Sequence, residues 1–440
     1  QSDGHDYIPM AVEKGAAAIV CERMPADAAE GVAYVLVGDS AGAMADMAAA
    51  FYDYPSRELK LVGITGTNGK TTTATLLYDL VRAMGYKAGL ISTVVYKIDG
   101  REVEATHTTP DSIRLNAMMR EMADAGCAYC FMECSSHAIV QERTRGLDFA
   151  GGIFSNITHD HLDYHKTFAE YIRAKKLFFD GLPKGAFALT NADDRNGRVM
   201  VQNTAAAVSA YSLRAMADFR CKIVEMHLDG MLLRIDGQEL WVGLLGRFNA
   251  YNLLAVYGAA ALLGLDRGEV LRVLSMLHAV SGRFEKIRAA NGTTAIVDYA
   301  HTPDALENVI QTIEEIRTPG QQLIVVCGCG GDRDRTKRPE MAAIAVKYAT
   351  TAVFTSDNPR HEEPEAIMAD VMPGLSGAAE VFADPDRRRA IEKGLELLHP
   401  GDALLIAGKG HENTQQIGDV KHPFSDQQTV REILGQLFPS

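Results

Sequence analysis

Leu61-Val-Gly-Ile-Thr-Gly-Thr-Asn-Gly-Lys-Thr-Thr-Thr73 decides the fold, because an apolar strand runs into a glycine loop that ends in Lys-Thr. Glycine lets backbone N–H groups turn toward phosphate oxygens, Lys70 can reach the terminal phosphates of a nucleotide, and the Thr71 hydroxyl suits Mg²⁺. Apolar residues continue at helical spacing from Leu76 to Met84, which predicts a helix after the loop. The predicted nucleotide-binding loop comprises Gly66, Thr67, Asn68, Gly69, Lys70, Thr71 and Thr72.

The loop departs from the general pattern G-x-x-x-x-G-K-[ST] at one point, since Ile64 replaces the first glycine and Gly63 lies one residue earlier. In this respect it resembles the ATP loop of the Mur ligases, which build the peptide of bacterial cell-wall precursors. Further stretches match that family's motifs in its order: Glu133-Cys-Ser-Ser-His137, Asn156-Ile-Thr-His-Asp-His-Leu-Asp163, Ala174-Lys175, Asn249-Ala-Tyr-Asn252, Asp298-Tyr-Ala-His-Thr-Pro-Asp304 and Asp357-Asn-Pro-Arg360. The resemblance implies an α/β fold in three domains, with a P-loop central ATPase domain and a Rossmann-like C-terminal domain.

Composition limits the possible partners. The 440 residues are 47% hydrophobic and 23% charged, which is enough for two or three packed domains. A net charge of −13 without a basic block argues against nucleic acid or an anionic membrane surface as partner. No apolar run reaches the roughly 18 residues of a membrane span, and seven cysteines give no even disulfide framework. We expect a cytoplasmic monomer without integral membrane contact, in which Cys130, Cys134, Cys327 and Cys329 belong to buried strands and not to a zinc site.

Two changes in organisation predict domain borders, near Tyr54-Pro-Ser-Arg57 and near Ser281-Gly-Arg-Phe-Glu285. Before the first border lie only an alanine-rich stretch and short apolar strands, too little for a domain of usual size. We predict a partial N-terminal UDP-binding domain at 1–57, a central ATP-binding domain at 58–280 and a C-terminal amino-acid-binding domain at 281–440. Beside the family pattern about half of the N-terminal domain is expected to be missing, so no uracil contacts are predicted.

Beyond the second border, buried strands at 295–299, 323–328, 352–356 and 403–407 alternate with helical stretches, which predicts a parallel α/β sheet. Ligands of such sheets gather beyond the carboxyl ends of the strands. Each of these strands is followed by polar or charged residues, namely Asp298 and His301, Gly330-Gly-Asp-Arg333, Asp357-Asn-Pro-Arg360, and Gly408-Lys-Gly-His-Glu412. A binding site is therefore predicted at this edge.

Candidate metal ligands lie in the central part of the chain. The strand that ends at Glu133 brings a carboxylate beside the phosphate loop, which suits Mg²⁺ bound by oxygen ligands and phosphates, although an ordinary strand-end glutamate is the alternative. The resemblance adds Thr71 as a ligand and His161 as a ligand of a second metal ion. Imidazole is an unusual partner for Mg²⁺, so a packed or solvated His161 is the alternative.

Lys175 lies in an unusual position for a lysine. Thr167-Phe-Ala-Glu170 is a capping box, and the helix that it opens has an apolar stripe into which Lys175 falls, whereas Lys176 falls on the polar face. A lysine that faces inward must extend its amine to water, pair or lose its proton. The family resemblance implies the last option, in which CO₂ carbamylates Lys175 and turns it into a carboxylate-like Mg²⁺ ligand.

The resemblance also implies the substrate contacts. For ATP it names the phosphate loop together with Asn249, Asn252, Arg283, Asp298 and His301. For UDP-MurNAc-L-Ala-D-Glu it names Thr108, Thr109, Ser135, Gln141 and Arg143. For meso-diaminopimelate it names Arg333, Asp357, Asn358, Pro359, Arg360, Gly408 and Glu412, and guanidinium groups and a carboxylate fit a diamino diacid.

The implied reaction is ATP-dependent amide bond formation in peptidoglycan precursor synthesis. ATP phosphorylates the D-glutamyl γ-carboxylate, Lys70 and Mg²⁺ offset the charge, and the diaminopimelate amine then displaces phosphate from the acyl phosphate. Three alternatives stay open at this point: a lysine-adding ligase that differs at 357–360, a folate polyglutamate ligase without the contacts around Thr108 and Arg143, and a nucleotide-dependent switch without enzyme activity.

Overall fold

The N-terminal part of the chain is small. The computed structural model describes residues 3–158, 162–289, 291–318, 320–377 and 379–438. Its first elements are the helices α1 (Ile8–Glu13) and α2 (Ser40–Phe51) and the parallel strands β1 (Ala18–Cys21) and β2 (Ala33–Leu36). Asp39 begins α2 by accepting hydrogen bonds from two backbone N–H groups of its first turn. An ion pair of 2.9 Å between Asp46 and Arg145 ties α2 to the next part of the chain.

The central part builds one large sheet. Among the described residues it has eleven strands in the order β13-β12-β11-β10-β9-β8-β3-β7-β4-β5-β6. The strands from β11 to β4 in that order are parallel, and the edges at β5-β6 and β12-β13 are antiparallel. Their bounds are β3 (Lys60–Thr65), β4 (Ala88–Ile91), β5 (Val95–Ile98), β6 (Arg101–Glu104), β7 (Tyr129–Glu133), β8 (Gly151–Phe154), β9 (Phe187–Asn191), β10 (Ala207–Ser212), β11 (Phe219–His227), β12 (Gly230–Ile235) and β13 (Gln238–Val242).

Helices cover both faces of this sheet, which is why its inner strands are apolar throughout. One face packs on α3, α9 and α10, and the other packs on α4 and α7. The helices are α3 (Lys70–Ala83), α4 (Ser112–Asp124), α5 (Ser136–Val140), α6 (Leu162–His165), α7 (Phe168–Asp180), α8 (Gly197–Met200), α9 (Arg247–Leu262) and α10 (Arg267–Leu274).

Gly63 explains the departure of the loop from the general pattern. Successive residues of β3 face opposite sides of the sheet, so Val62 and Ile64 join the core under α3 while Leu61 and Gly63 face α7. A Cβ atom at Gly63 would lie 2.5 Å from Cζ of Phe178 and 2.9 Å from the Cys134 sulfur. The displaced glycine is therefore required by the close packing of α7.

The C-terminal part forms a second sheet. Its six described strands have the order β14-β15-β19-β16-β17-β18 and are parallel except for β14. They are β14 (Glu285–Arg288), β15 (Thr294–Asp298), β16 (Leu323–Cys329), β17 (Thr351–Ser356), β18 (Glu380–Ala383) and β19 (Ala403–Ala407), followed by the hairpin of β20 (Thr414–Ile417) and β21 (Val420–Pro423). The helices are α11 (Pro303–Ile316), α12 (Lys337–Tyr348), α13 (Pro364–Val371), α14 (Arg387–Glu396) and α15 (Asp426–Leu437). The α/β class and the parallel sheet predicted from the sequence are confirmed, whereas the two domain borders stay a prediction.

The central and C-terminal parts meet at the phosphate loop. Asp304, in the first turn of α11, accepts hydrogen bonds from Asn68 Nδ2 at 2.9 Å and from Thr158 Oγ1 at 3.2 Å. Arg283 Nη2 donates a hydrogen bond to Thr71 Oγ1 at 3.1 Å. The loop is thus touched by two segments of the C-terminal part.

Three of the four cysteines that were predicted to belong to buried strands lie in strands. All seven cysteines are free; Cys130 lies in β7, Cys327 and Cys329 lie in β16, and Cys134 lies one residue beyond the end of β7. Within the described ranges, no three or more His, Cys, Asp and Glu side chains gather as metal ligands. Nor does any helix in those ranges combine the length and apolar character needed to cross a membrane.

A buried ion pair joins the two helices packed beside the C-terminal sheet, and we expect it to control the stability of that part. Arg387 donates to both carboxylate oxygens of Asp426 at 2.7 Å, and neither side chain is exposed. Asp426→Ala leaves a buried guanidinium uncompensated and should lower the free energy of unfolding by about 3–5 kcal/mol. Urea denaturation followed by circular dichroism measures the change.

The matched control is Glu432→Ala, because Glu432 forms an ion pair of 2.9 Å with Arg388 between the same two helices but at the surface. Water screens that pair, so the midpoint of unfolding should hardly move. Equal effects of the two substitutions would show that the buried pair has no special role.

Candidate active site

Thr71 and Glu133 form the centre of the site. The Thr71 hydroxyl, at the start of α3, donates to Glu133 Oε1 at 2.8 Å. Thr93 fixes the same carboxylate through its backbone N–H, 2.7 Å from Oε1, and through its hydroxyl, 3.2 Å from Oε2. Glu133 is only 1% exposed. A hydroxyl and an ionised carboxylate are oxygen ligands of the kind that Mg²⁺ takes together with nucleotide phosphates, so these residues fit that ion.

The Lys70 side chain folds back onto the backbone of the phosphate loop. Lys70 Nζ donates to the carbonyl oxygens of Gly66 at 3.0 Å and Thr67 at 2.8 Å. The segment after β8 holds the loop from outside, because Asn156 Oδ1 accepts from the Asn68 backbone N–H at 3.0 Å. Gly66 and Gly69 have φ angles of +148° and +86°, which other residues rarely adopt. The two glycines and the support from Asn156 therefore fix the shape of the loop at the start of α3, where the phosphate cradle is predicted.

The first of two cavities at the loop has a volume of about 340 Å³ and suits a nucleotide. Of the residues predicted to bind ATP, it is lined by Asn68, Gly69, Thr72, Asn252, Arg283, Asp298 and His301. Asn249 lies behind Asn252, since its Oδ1 accepts from Asn252 Nδ2 at 3.1 Å while its own Nδ2 donates to Leu245 O at 2.7 Å. Asn249 thus orients Asn252 from the interior of the central part.

The second cavity has a volume of about 580 Å³ and lies on the other side of the loop. Asn68, Gly69, Arg283, Tyr299 and His301 line both cavities. The other predicted residues that line the second cavity are Thr67, Lys70, Thr71, Thr108, Thr109, Glu133, Ser135, Gln141, Arg143, Lys175 and Arg333. All five residues predicted to hold the UDP-linked dipeptide are brought together here, beside Glu133.

Hydrogen bonds hold the guanidinium group of Arg143 in place in the second cavity. Arg143 donates to Thr109 O at 2.6 Å and, through two nitrogens, to Gln141 Oε1 at 2.7 and 3.1 Å. Thr109 in turn donates to the Glu133 backbone carbonyl at 2.7 Å. The guanidinium is therefore oriented before any ligand arrives.

Lys175 faces the site from α7. The N-cap half of the predicted capping box is confirmed, because the Thr167 side chain accepts from the Glu170 backbone N–H. The Thr167 backbone N–H donates to His165 O at 2.6 Å and not to the Glu170 side chain, as a complete capping box would require. Lys175 is 1% exposed, and its Nζ donates to Gly66 O at 2.7 Å and lies 4.6 Å from the Tyr171 ring centroid. Lys176 instead pairs with Asp180. The inward direction predicted for Lys175 is confirmed; His161, predicted as a metal ligand, lies outside the described residues.

The residues predicted to bind the amino acid gather beyond β16, β17 and β19. Arg360, with a φ of +52°, donates to Gly331 O at 2.7 Å. A Cβ atom at Gly330 would lie 3.0 Å from Arg360 Nη1 and 3.5 Å from Arg333 Cγ, so both arginines flank the same glycine. Burial, and next the Arg333 charge, lower the pKa of Arg360. Two neighbouring guanidinium groups form an anion-binding position.

The carboxylates of Asp357 and Glu412 lie near the two arginines. Asn358 Nδ2 donates to Glu412 Oε2 at 2.9 Å. Gly408 has a φ of +121°, and a Cβ atom there would lie 2.7 Å from Asp357 Oδ2, so the Gly408 backbone closely approaches the Asp357 carboxylate. Burial raises the pKa of Asp357 in spite of nearby Arg387 and Lys409. Pro359 connects Asn358, which contacts Glu412, to Arg360.

Burial also dominates the electrostatics where β15 meets the phosphate loop. It raises the pKa of Asp298, although Asp298 accepts backbone hydrogen bonds from Phe284 at 2.6 Å and Ala300 at 2.8 Å. It raises the pKa of Tyr299 to about 12, and with the Arg283 charge it lowers the pKa of His411 to about 4. Burial lowers the local dielectric, which strengthens charge interactions with a bound substrate.

Sequence reasoning missed four residues that support the site. Thr93 fixes Glu133, Asn156 supports Asn68, Asp304 binds Asn68 from α11, and Lys409 contacts Glu412. Asn156, Asp304 and Lys409 lie within motifs already noted, so those motifs were the available signal. Thr93 belongs to no such motif, and only the proximity of β4 and β7 reveals it.

Comparison with known proteins agrees with this architecture. A family model of the Mur ligase middle domain matches residues 64–260, and one of the Mur ligase glutamate ligase domain matches residues 282–410. The UDP-N-acetylmuramoyl-L-alanyl-D-glutamate--2,6-diaminopimelate ligases of Cytophaga hutchinsonii and Bacteroides fragilis are both 54% identical to the chain, over 99% of the chain and 90% of each relative. The chain belongs to the Mur ligase family, as the sequence motifs predicted.

Solved structures support the same assignment. The structure of a UDP-N-acetylmuramoyl-L-alanyl-D-glutamate--2,6-diaminopimelate ligase is 32% identical and superposes with a TM-score of 0.70, over 99% of the chain and 90% of that structure. A folylpolyglutamate synthase of Mycobacterium tuberculosis is 17% identical with a TM-score of 0.67, over 91% of the chain and 95% of that structure. At that identity, the second likeness concerns the fold alone.

Lys70→Ala should abolish ATP turnover without unfolding the protein, because it removes a cation beside the phosphates and no core volume. We expect phosphate release to fall by about 100-fold or more, with an unchanged circular dichroism spectrum. Lys184→Ala, at an exposed lysine outside both cavities, is the control. Retained turnover in Lys70→Ala would contradict the assignment of the phosphate loop.

Proposed function

We propose that the protein adds meso-diaminopimelate to UDP-MurNAc-L-Ala-D-Glu with ATP, the activity of the MurE branch of its family, in peptidoglycan precursor synthesis. Two relatives at 54% identity bear the name of this ligase, and each is covered over 90% of its length. Three domains with borders near 57 and 280, a monomer and a cytoplasmic location belong to the same proposal.

The observation that carries the proposal is the pairing of Arg333 and Arg360 beside Asn358 and Glu412. Guanidinium groups recognise carboxylates, and a carboxylate recognises an ammonium group. Meso-diaminopimelate has a carboxylate and an amine at each end, so both kinds of group find a partner. A phosphate loop alone would fit many nucleotide-binding proteins, whereas this combination fits a ligase for a diamino diacid.

In the first step, an oxygen of the D-glutamyl γ-carboxylate attacks the γ-phosphorus of ATP, and the bond to the β-phosphate oxygen breaks. Lys70, the loop N–H groups and Arg283 offset the negative charge that develops. Arg143 holds the UDP-linked dipeptide in the cavity that also contains Glu133. The products of this step are an acyl phosphate and ADP.

Thr71 and Glu133 are the described residues that would hold Mg²⁺, with Lys175 as a third once it carries a carbamate. When bound, the ion neutralises phosphate charge and orients the phosphate oxygens for in-line attack. Carbamylation of Lys175 forms an N–C bond between its amine and CO₂. Starting from the ammonium group, two protons are released, so a cation is replaced by an anionic oxygen ligand. The position of Lys175, buried and facing the Glu133 cavity, supports this modification.

In the second step, the amine of meso-diaminopimelate attacks the acyl carbon, and phosphate leaves as the amide forms and the amine loses a proton. Glu412, Arg333 and Arg360 hold the far end of the amino acid. The reactants bind to different parts of the chain, and the contacts of Arg283 and Asp304 with the phosphate loop bring those parts together. Exclusion of water protects the acyl phosphate from hydrolysis.

A phosphate-release assay with a panel of amino acids tests the function. Release should require both UDP-MurNAc-L-Ala-D-Glu and meso-diaminopimelate. Release with lysine would favour the lysine-adding alternative, release with a folate and glutamate would favour the folylpolyglutamate ligase, and binding of ATP without release would favour a switch.

Arg360→Ala should reduce the preference for meso-diaminopimelate over lysine, because lysine has no second carboxylate for Arg360 to bind. Truncating one partner of a buried charged pair costs about 2–5 kcal/mol, so kcat/KM for diaminopimelate should fall about 30-fold or more. The value for lysine, which is already low, should hardly change. An unchanged preference would mean that another group, with Arg333 the next candidate, holds the carboxylate.

Lys175→Ala should abolish activity, because the carbamate oxygens are lost, and acetate should partly restore it by occupying the vacated position. In the wild type, NMR with isotopically labelled bicarbonate should detect the carbamate. Lys176→Ala is the matched control, since Lys176 pairs with Asp180 at the surface of the same helix. Full activity of Lys175→Ala would contradict the modification.

A further inference from the structure

Lys409 is a fully buried lysine with a distinct local geometry. It lies between Gly408 and Gly410, whose φ angles are +121° and +52°. A Cβ atom at Gly408 would lie 2.7 Å from Asp357 Oδ2, and one at Gly410 would lie 2.6 Å from Gly282 O. The two glycines therefore allow the chain to turn tightly and send the Lys409 side chain inward, where none of its surface is exposed.

The Lys409 ammonium contacts three acceptors of the candidate amino-acid site. Its Nζ lies 2.8 Å from Glu412 Oε2, 3.0 Å from Asn358 Oδ1 and 3.8 Å from Asp357 Oδ1. The Glu412 backbone N–H donates to Lys409 O at 2.9 Å, so one turn of chain holds both residues. Lys409 lies behind the two side chains that are proposed to meet the substrate and has no surface with which to meet it itself.

These contacts determine which way the Asn358 amide points. Its Oδ1 accepts from Lys409 and, at 2.9 Å, from the backbone N–H of Gln416, and both of these partners are donors only. Its Nδ2 donates to Glu412 Oε2, an acceptor. If the amide were flipped, its NH₂ group would face two donors, the Lys409 ammonium and the Gln416 backbone N–H. Asn358 therefore presents a donor group, and Glu412 Oε2 already accepts from two neighbours.

We propose that Lys409 is a positioning residue for the amino-acid substrate: it fixes the Asn358 amide as a donor and keeps the Glu412 carboxylate ionised for the substrate's ammonium group. The inference rests on the proposed function and adds a residue that acts through Asn358 and Glu412. With Glu412 Oε2 occupied, Oε1 is the oxygen left to receive the ammonium, and the second Nδ2 hydrogen of Asn358 is directed to a substrate carboxylate.

Electrostatics support the role of Lys409. Burial alone would raise the pKa of Glu412, but the Lys409 charge and the hydrogen bonds from Lys409 and Asn358 outweigh burial and lower it. The other titratable and charged groups that interact with Glu412 are His411, Asp357, Tyr299 and Arg360. Without Lys409, the burial effect is opposed far less, so the pKa of Glu412 rises.

Lys409→Met, of similar length but uncharged, is the test. KM for meso-diaminopimelate should rise about 30-fold or more, while KM for ATP and for UDP-MurNAc-L-Ala-D-Glu stays unchanged and saturating diaminopimelate restores most of kcat. The acid limb of kcat/KM should move to higher pH in the variant, because Glu412 must lose its proton to bind ammonium. Lys421→Met, at an exposed lysine of the neighbouring hairpin, is the control.

Glu412→Gln supplies an independent measurement. If Lys409 acts by keeping Glu412 ionised, Lys409→Met should have a much smaller effect in the Glu412→Gln background than in the wild type. Independent, additive effects on KM, or an unchanged KM and pH profile in Lys409→Met, would overturn the proposal.

Folding is checked by circular dichroism and by KM for ATP, and Lys409→Gln, which keeps a donor, replaces Lys409→Met if that variant does not fold. If neither folds, Lys409 is needed for folding and the proposed role is overturned. Failure of the proposed function itself is seen separately, because the wild type would then release no phosphate with diaminopimelate.

Discussion

The hydrogen bond from Thr71 to Glu133 is the contact on which the candidate active site depends. It joins the first turn of α3 to the end of β7, two elements that flank β3, and Ile64 of β3 lies opposite Glu133 in the sheet. Arg283, which belongs to the C-terminal part, donates a hydrogen bond to the same Thr71 hydroxyl. A hydroxyl can donate one hydrogen bond and accept others, so Thr71 can serve both neighbours at once. Loop, carboxylate and guanidinium are thereby brought to one point.

Two cavities meet at the phosphate loop, and each is proposed to bind a different substrate. The smaller cavity is proposed to bind the nucleotide and the larger one the peptide substrate. Their common lining is formed by Asn68, Gly69, Arg283, Tyr299 and His301. The chain has a net charge of −13, yet its proposed substrates are anionic. Local cations resolve this conflict, since Lys70, Arg143, Arg283, Arg333 and Arg360 are concentrated at the proposed binding positions. Overall charge therefore says little about the ligand of a cleft.

The sequence predicted those features of the fold that depend on residues close together in the chain. The turn of the phosphate loop, the N-cap of α7 and the buried strands of the C-terminal sheet each depend on residues close in the chain, and the structure agrees with them. Contacts between distant segments were missed, as with Thr93 and Lys409. Gly63 shows the same limit, because Phe178, more than a hundred residues away, explains its presence. Asn249 lies behind Asn252 and is not among the residues that line the smaller cavity, and its contact with the nucleotide stays a prediction.

The backbone of Arg360 is held by a second segment of the chain. Its N–H donates to Gln416 O at 3.1 Å, and its carbonyl accepts from the Gly418 N–H, so the hairpin of β20 and β21 sets the left-handed conformation at Arg360. In the proposed function, amino-acid preference is thus a property of two segments that are more than fifty residues apart. A redesign of the proposed amino-acid site would have to alter the motif and the hairpin together, because the hairpin holds the backbone from which the Arg360 side chain extends.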